Sequence, residues 1–244
     1  MKKTLCCILL LSVFLFSCQH KKSQITIDGN FKNGGNEMLW LACITSDDVI
    51  MLDSMKMKDG NFSFAIKAES EQEKARIQSP MMYQIISKSG IALTTLAQGG
   101  EHITFSGDAK DLFSTYHVQG SEEALLTWQL DSALSAFIKP TEALYETYQE
   151  NLENDSVRAD VESHYVVLLD KHKKFLTQFI KEHPDNIASY IAFYQGYNRR
   201  TFFTEDADFE MLKTLTKSLQ KVYPENQYVK SMTQRLEVLE LMHK

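Results

Sequence analysis

The spacing of the apolar residues changes once along this 244-residue sequence, and the change limits the fold more than any other feature. From residue 24 to about residue 119, apolar and polar residues alternate, and turn residues recur roughly every 8–12 positions, which is typical of short strands. After Gly120 the apolar residues recur every three or four positions, which is typical of helices. The sequence therefore predicts an α+β protein: an N-terminal antiparallel β-sandwich or open barrel over residues 24–119, followed by an all-α helical domain over residues 120–244.

The β-rich part contains eight or nine segments with strand patterns. They lie near residues 24–31, 37–44, 49–57, 61–68, 74–79, 82–87, 91–97, 101–106 and 116–119. Lys58-Asp59-Gly60 separates the third segment from the fourth, and an Asp-Gly pair in that position predicts a hairpin. Gly99-Gly100 precedes a strand pattern, so we expect a second hairpin turn there. A phosphate-binding loop would instead lead into a helix.

Prolines divide the helical part. The apolar spacing predicts helices near residues 121–139, 144–152, 155–183, 186–195, 206–223 and 226–243. Ser121 and Asp155 are suitable N-cap residues for the first and third helices. Pro140, Pro184 and Pro224 are expected to end the helices that precede them, because proline lacks the backbone N–H that a helix interior needs.

The first residues have the pattern of an export signal. Lys2 and Lys3 come before an apolar run of 12 residues, which is shorter than the roughly 20 residues that span a bilayer. The run ends in Leu15-Phe16-Ser17-Cys18, which resembles a bacterial lipobox. We therefore expect residues 1–17 to be a lipoprotein signal peptide and residues 18–23 to be a tether that begins at the lipidated Cys18 and holds the protein to the membrane.

The residues after Cys18 indicate a location. Gln19 stands where an aspartate would resemble the signal for retention in the inner membrane, so delivery to the outer membrane is expected. Residues 19–23 are basic and lack the acidic cluster typical of surface-exposed lipoproteins. The sequence therefore predicts an outer-membrane lipoprotein that faces the periplasm.

Charge and cysteine content exclude several classes of function. Removal of residues 1–17 takes away two lysines and no acid, so the formal charge changes from −6 to −8, which argues against nucleic acid as a partner. Cys6 and Cys7 leave with the signal and Cys18 carries lipid, so Cys43 alone cannot form a disulfide, a Cys-x-x-Cys redox pair or a cysteine zinc site. Cys43 lies in an apolar strand pattern, and we expect it to be buried and unreactive.

Two groups of residues are candidate sites. Asp160 and His164 have the spacing of two metal ligands on a helix, but His172 lies about 12 Å further along, so a solvated helix face is the better interpretation and no metal site is predicted. The other group is a cluster of aromatic residues beside two arginines, which is typical of a helical core and also suits a ligand-binding shelf. The candidate ligand-binding residues of this cluster are Tyr190, Tyr194, Tyr197, Arg199 and Arg200.

Two stretches of the β-rich part resemble a known family. Residues 53–64, DSMKMKDGNFSF, and residues 97–108, AQGGEHITFSGD, are similar to hairpins of a domain of unknown function in envelope lipoproteins of Bacteroidota. In that family the domain precedes a helical spacer, which residues 179–186 and 223–226 resemble, and then a thioredoxin-like disulfide oxidoreductase domain. We expect the redox domain to be absent here, because the sequence ends at Lys244 without a Cys-x-x-Cys pair. The redox activity of the family is therefore not carried over.

These observations favour a lipid-anchored, non-catalytic periplasmic binding or assembly module, either retained after loss of the redox domain or acting beside a separate thioredoxin-like protein as its partner. The alternative is a ligand-binding lipoprotein of a glycan or nutrient uptake system. An enzyme is the least favoured interpretation, because the sequence shows no group of titratable residues with the spacing of a catalytic site. No catalytic residue and no cofactor are predicted.

Overall fold

The computed structural model describes residues 24–242, and its N-terminal part consists mainly of strands. The eight strands are β1 (Gln24–Lys32), β2 (Met38–Ile44), β3 (Val49–Lys56), β4 (Asn61–Lys67), β5 (Met81–Ser87), β6 (Ala92–Ala97), β7 (His102–Asp108) and β8 (His117–Gln119). Buried and exposed residues alternate along β1, as expected for a strand with one face on the core. Strand β2 is buried at Leu39 and from Leu41 to Cys43, which matches its nearly continuous apolar sequence.

The strands form two four-stranded sheets, in the orders β4-β1-β7-β8 and β3-β2-β5-β6. Neighbouring strands are antiparallel except β1 and β7, which run parallel with Ile27 opposite Ile103. The α+β class, with mainly antiparallel sheets followed by helices, is therefore confirmed. The parallel pair was not predicted, because strands β2 to β6 separate β1 from β7 in the sequence, and alternation alone does not reveal such a long connection.

The chain turns at both predicted positions, but the strands on either side of each turn do not pair as a hairpin. Asp59 and Gly60 adopt φ values of 48° and 83°, as a two-residue hairpin turn requires, and Lys58 and Asn61 form a single bridge. Beyond that bridge β3 joins β2 in one sheet, whereas β4 joins β1 in the other. The turn at residues 98–100 likewise connects β6 of one sheet to β7 of the other. Turn chemistry fixes the local reversal of the chain, but it does not decide which sheet each strand joins.

Residues 74–79, predicted as a strand, instead begin within helix α1 (Glu71–Arg76). The Ser70 hydroxyl accepts a hydrogen bond from the backbone N–H of Glu73, and the Glu73 carboxylate accepts one from the backbone N–H of Ser70 at 2.9 Å. This reciprocal pair is a capping box, which the Ser-x-x-Glu sequence predicts. The prediction of a strand is wrong because the cap begins a helix before the segment.

The remaining helices follow the sheets. They are the one-turn α2 (Leu112–Thr115), which precedes β8, then α3 (Glu122–Glu150), α4 (Asp155–Glu182), α5 (Ala188–Tyr194), α6 (Phe209–Val222) and α7 (Gln227–Met242). A small hairpin, β9 (Gly196–Tyr197) and β10 (Arg200–Thr201), lies between α5 and α6. Ser121 caps α3 through the backbone N–H of Ala124, as expected. The cap of α4 is Asn154, one residue before the predicted Asp155.

Pro140 does not end a helix, contrary to the prediction, and the two helices expected on either side of it are one continuous helix, α3. A proline in a helix interior costs about 3 kcal/mol relative to alanine. Phe137 and Thr141 are buried on either side of Pro140, and the Thr141 hydroxyl donates a hydrogen bond to the Phe137 carbonyl at 2.7 Å. Packing of α3 against α4 through such residues offsets the cost, which a single-helix argument does not include.

The helices and sheets share one hydrophobic core. That core includes strand residues such as Leu39 and Leu96 together with helix residues such as Leu130 and Leu215. Tyr228 at the start of α7 is 1% exposed, and its hydroxyl donates to the Ile44 carbonyl and accepts from the Met82 N–H, at the end of the β2–β5 pair. Nearby, the Asn226 amide donates to the Ser79 hydroxyl and the Pro80 carbonyl, both at 2.9 Å. The last helix is therefore attached to the sheet by hydrogen bonds as well as by apolar contacts.

A second polar contact joins α3 to the strands. The Tyr116 hydroxyl donates to the Asp131 carboxylate at 2.7 Å, and the Trp128 indole donates to the Tyr116 carbonyl at 2.8 Å. Burial raises the pKa of Asp131 to about 6, although the hydrogen bond from Tyr116 acts in the opposite direction. Burial also raises the pKa of Tyr116, so this hydroxyl keeps its proton and remains the donor.

Within residues 24–242, no helix is both long enough and apolar enough to cross a membrane. The predicted signal peptide and the lipidation site at Cys18 lie outside the described residues.

Candidate functional site

A groove of about 890 Å³ lies between the C-terminal half of α3, residues 161–173 of α4 and the β9–β10 hairpin. From α3 it is lined by Phe137, Thr141, Tyr145 and Tyr148, whose spacing of three or four residues places them on one face of the helix. The corresponding face of α4 contributes Val161, Tyr165 and Leu169 at intervals of four. We call this cavity the helical groove.

The β9–β10 hairpin closes one side of the helical groove. It pairs Tyr197 with Arg200, and both line the groove. The two residues between them, Asn198 and Arg199, have φ values of 50° and 63°, so the turn places two non-glycine residues in the left-handed region. Left-handed backbone costs roughly 1–2 kcal/mol for an ordinary residue, and asparagine tolerates it better than arginine does. Strain at such a turn is typical of segments that position functional side chains.

The floor of the helical groove is a packed aromatic cluster. Phe137 packs edge-on against Tyr197 and Phe202, with ring centroids 5.9 Å and 5.2 Å away. His172 lies behind these rings, 4.4 Å from Phe202, and one of its ring nitrogens is 2.8 Å from the Gln195 side-chain oxygen. Burial lowers the pKa of His172, so the neutral imidazole predominates at neutral pH. His172 therefore supports the floor and is not a ligand-contacting group.

The rim of the helical groove carries aromatic and charged side chains that solvent reaches. Tyr145 and Tyr165 are 64% and 38% exposed. Glu142, Glu162 and Arg200 also line the groove and are exposed; within residues 24–242 none of these three side chains takes part in a hydrogen bond or an ion pair. Lys173 completes the charged set and lies 5.3 Å above the Phe203 ring. The rim thus combines unpaired polar groups of both signs with accessible ring faces.

The five residues of the predicted ligand-binding shelf do not lie at one site. Tyr197 and Arg200 line the helical groove, whereas Tyr190 and Tyr194 pack on each other with ring centroids 4.9 Å apart, outside it. Tyr190 also packs on Tyr228 at 4.9 Å. Two of the five predicted residues are therefore brought to a cavity, and the two tyrosines of α5 join helices together.

The Tyr194 hydroxyl donates to the Glu205 carboxylate at 2.8 Å, and burial raises the pKa of Tyr194, so the hydroxyl keeps its proton and remains the donor. Glu205 also accepts from the Arg235 guanidinium, which ties the region before α6 to α7. Arg199, the fifth predicted residue, is exposed at the hairpin turn and does not line the groove.

Sequence reasoning missed the tyrosines that α3 and α4 bring to the groove. Tyr145, Tyr148 and Tyr165 stand at helical spacing on consecutive helices, and that signal was visible. The break expected at Pro140 separates Tyr145 and Tyr148 from Phe137 and Thr141, so a common face of one helix was not predicted there.

Asp160 and His164 are both exposed, and a carboxylate oxygen of Asp160 lies 3.4 Å from a ring nitrogen of His164. Within the described part of the chain, no three His, Cys, Asp or Glu side chains are grouped so that they would hold a metal ion. Cys43 is fully buried in β2 opposite Tyr83, and burial raises the pKa of its thiol, as expected of an unreactive cysteine.

A second, shallower cavity of about 490 Å³ lies on the β4-β1-β7 face and includes Asp28, Ser63 and Thr104. The Asp28 carboxylate is 2.6 Å from the His102 ring, and its other oxygen is buried without a partner among the described atoms. Ser63 stands opposite Asp28 on β4, whereas His102 is on β7. The aspartate therefore lies between the serine and the histidine. In a nucleophilic triad the histidine must occupy the middle, so this arrangement does not activate Ser63.

No protein-family model matches the chain, and no curated protein sequence matches it.

Proposed function

We propose that this protein is a lipid-anchored, non-catalytic binding module of the bacterial envelope, and that the helical groove is its binding surface. The observation that carries the proposal is the groove itself: about 890 Å³ of space with a packed aromatic floor and a rim of unpaired polar groups. Ligand sites of proteins have volumes of about 300–1,000 Å³, apolar walls and a few polar groups that fix orientation. The helical groove has these three properties.

The groove also suits binding more than catalysis. General acid/base or nucleophilic chemistry requires titratable groups that contact one another and a reacting atom. His172, a buried titratable group behind the floor, is held by Gln195 and packs on Phe202, and it does not line the groove. Within residues 24–242, the charged side chains that line the groove, Glu142, Glu162, Lys173 and Arg200, form no hydrogen bond or ion pair with one another.

The remainder of the proposal rests on the sequence. The Leu15-Phe16-Ser17-Cys18 lipobox pattern supports lipid anchoring at Cys18, and the basic residues 19–23 support the periplasmic face of the outer membrane. The resemblance to the N-terminal domain of thioredoxin-like lipoproteins supports a β-sandwich arrangement of the two sheets. It also supports a separate thioredoxin-like protein as partner.

Anchoring is tested by labelling cells with radioactive palmitate. The wild-type protein incorporates label, whereas Cys18→Ala leaves an unlabelled precursor or a soluble product. Undiminished label in Cys18→Ala contradicts the anchoring. Protease added to intact cells should spare the protein until the outer membrane is opened, and cleavage in intact cells contradicts the periplasmic location.

Binding is tested by fluorine NMR with a fragment set that contains aromatic, saccharide, peptide and fatty-acyl members. We expect at least one class to bind the wild-type protein and to lose affinity when Tyr165→Ser and Tyr197→Ser open the groove wall. Phe113→Ser is the matched control, because Phe113 is a similarly exposed ring outside the groove. If no class binds, or if every class binds the groove variants as well as the control, the proposed function is wrong.

A further inference from the structure

We propose that the helical groove binds a neutral oligosaccharide, whose sugar rings stack on the rim tyrosines and whose hydroxyls bind the charged rim side chains. The inference rests on the proposed function and specifies its ligand. It is carried by the balance of charge, by the exposure of the rim tyrosines and by the mixture of donors and acceptors around the groove.

The charge of the rim favours a neutral ligand. Two carboxylates, Glu142 and Glu162, are matched by two cations, Lys173 and Arg200. A site for an anionic chain would carry an excess of Lys and Arg, and a site for a cationic ligand would carry an excess of acids. The protein as a whole is negative, with a formal charge of −6 for the full sequence, which further disfavours phosphorylated or other acidic ligands.

The rings of the rim favour a ligand with flat, weakly polar faces and polar edges. Tyr145 and Tyr165 present exposed rings to the groove, and Tyr197 is half-buried on its opposite side. Each tyrosine combines an apolar ring with a hydroxyl that needs a partner when water is removed. A pyranose ring matches both parts, because its C–H face packs on the aromatic ring while its hydroxyls lie at the edge. An acyl chain would cover the rings but leave the tyrosine hydroxyls and the charged groups unpaired, at about 1–3 kcal/mol for each group.

The mixture of donors and acceptors separates a saccharide from a peptide. Glu142 and Glu162 only accept hydrogen bonds, whereas Arg200 and Lys173 only donate them. Sugar hydroxyls both donate and accept hydrogen bonds, so the same ligand group suits all four side chains. A proline-rich peptide, the other common partner of tyrosine-lined grooves, presents mainly carbonyl oxygens and few N–H groups. Its carbonyls would face the two carboxylates without a donor between them.

The packing around the groove favours a preformed site. Phe137 is fixed by edge-on contacts with Tyr197 and Phe202, and the β9–β10 turn holds Tyr197 and Arg200 on one side of the floor. Side chains that are already ordered lose little entropy when a ligand binds.

The test is an array of neutral, acidic and basic oligosaccharides together with proline-rich peptides, probed with the purified protein and followed by calorimetry on the strongest binders. We expect neutral oligosaccharides to bind in preference to charged ones and to peptides. Tyr165→Ser and Arg200→Ala should each weaken binding at least tenfold. Arg199→Asn is the matched control for Arg200→Ala, because it removes the neighbouring positive charge outside the groove and keeps a residue that tolerates the left-handed turn. Phe113→Ser is the control for Tyr165→Ser.

Urea midpoints of all four variants show whether each is folded before affinities are compared. Binding of proline-rich peptides or fatty-acyl fragments to the groove, without neutral saccharides, overturns this inference but leaves the proposed binding function intact. Saccharide binding that Tyr165→Ser and Arg200→Ala do not weaken also overturns it, because the site would lie elsewhere. Absence of every ligand class from the groove overturns both proposals.

Discussion

Replacement of Tyr228 by phenylalanine tests how the helical part is attached to the sheets. The substitution removes one buried hydroxyl and leaves the ring, so the contacts with Tyr190 are kept. It leaves the Met82 N–H and the Ile44 carbonyl, which that hydroxyl joins, without partners at the end of the β2–β5 pair. An unpaired, partly buried backbone group costs about 1–3 kcal/mol. Both groups are only partly buried, so we take the lower part of this range for each.

The expected loss of unfolding free energy is therefore about 2–3 kcal/mol. For a protein of 150–250 residues this corresponds to a fall in Tm of about 5–10 °C. Urea unfolding followed by circular dichroism measures the change. Tyr145→Phe is the control, since its hydroxyl is exposed and its removal should change stability by less than about 0.5 kcal/mol. A Tyr228→Phe variant that differs from this control by less than about 0.5 kcal/mol would refute the reasoning.

Three further predictions concern stability. The pKa of Asp131 in the folded protein, about 6, lies above the unfolded value near 3.9. Stability is therefore lost as the pH rises through about 6. In urea titrations, Asp131→Asn should be more stable than wild type by about 1–2 kcal/mol at pH 7.5 and no more stable at pH 4. A Cβ atom on Gly29 would lie 2.1 Å from the Phe62 ring, so Gly29→Ala should lower stability by about 1–3 kcal/mol, whereas Gly35→Ala, with open space around it, should not. Pro140→Ala should raise the thermal midpoint, because a proline in a helix interior costs up to about 3 kcal/mol.

Much of the fold follows from the sequence, and the failures have identifiable causes. The division into strands and helices near Gly120 is correct, because alternation and helical spacing are local properties of the chain. The partners of β3, β4, β6 and β7 were wrong, since the choice of sheet depends on distant parts of the chain. Helix α1 was missed although Ser70 and Glu73 carry a capping signal, and Pro140 was misread because tertiary packing offsets its local cost.

The candidate site was predictable in part. Tyr197 and Arg200 were selected from an aromatic cluster beside two arginines, and they do line the helical groove. Tyr190 and Tyr194 share the same sequence signal, but their rings pack on each other, and Tyr190 also packs on Tyr228 of α7. No local pattern distinguishes a ring that faces a cavity from a ring that packs on a neighbour. The opposite wall of the groove depends on α3 remaining continuous beyond Pro140, which the sequence alone argued against.

The central claim, that the helical groove is the binding surface, is tested most directly by NMR of isotope-labelled protein. Amide signals are compared before and after addition of the neutral oligosaccharides and aromatic fragments. We expect the largest shifts around Tyr145, Tyr165 and the 196–201 hairpin, with little change near Asp28 and His102 on the sheet. Shifts that cluster around Asp28 and His102, or no shifts with any of these compounds, would contradict the account.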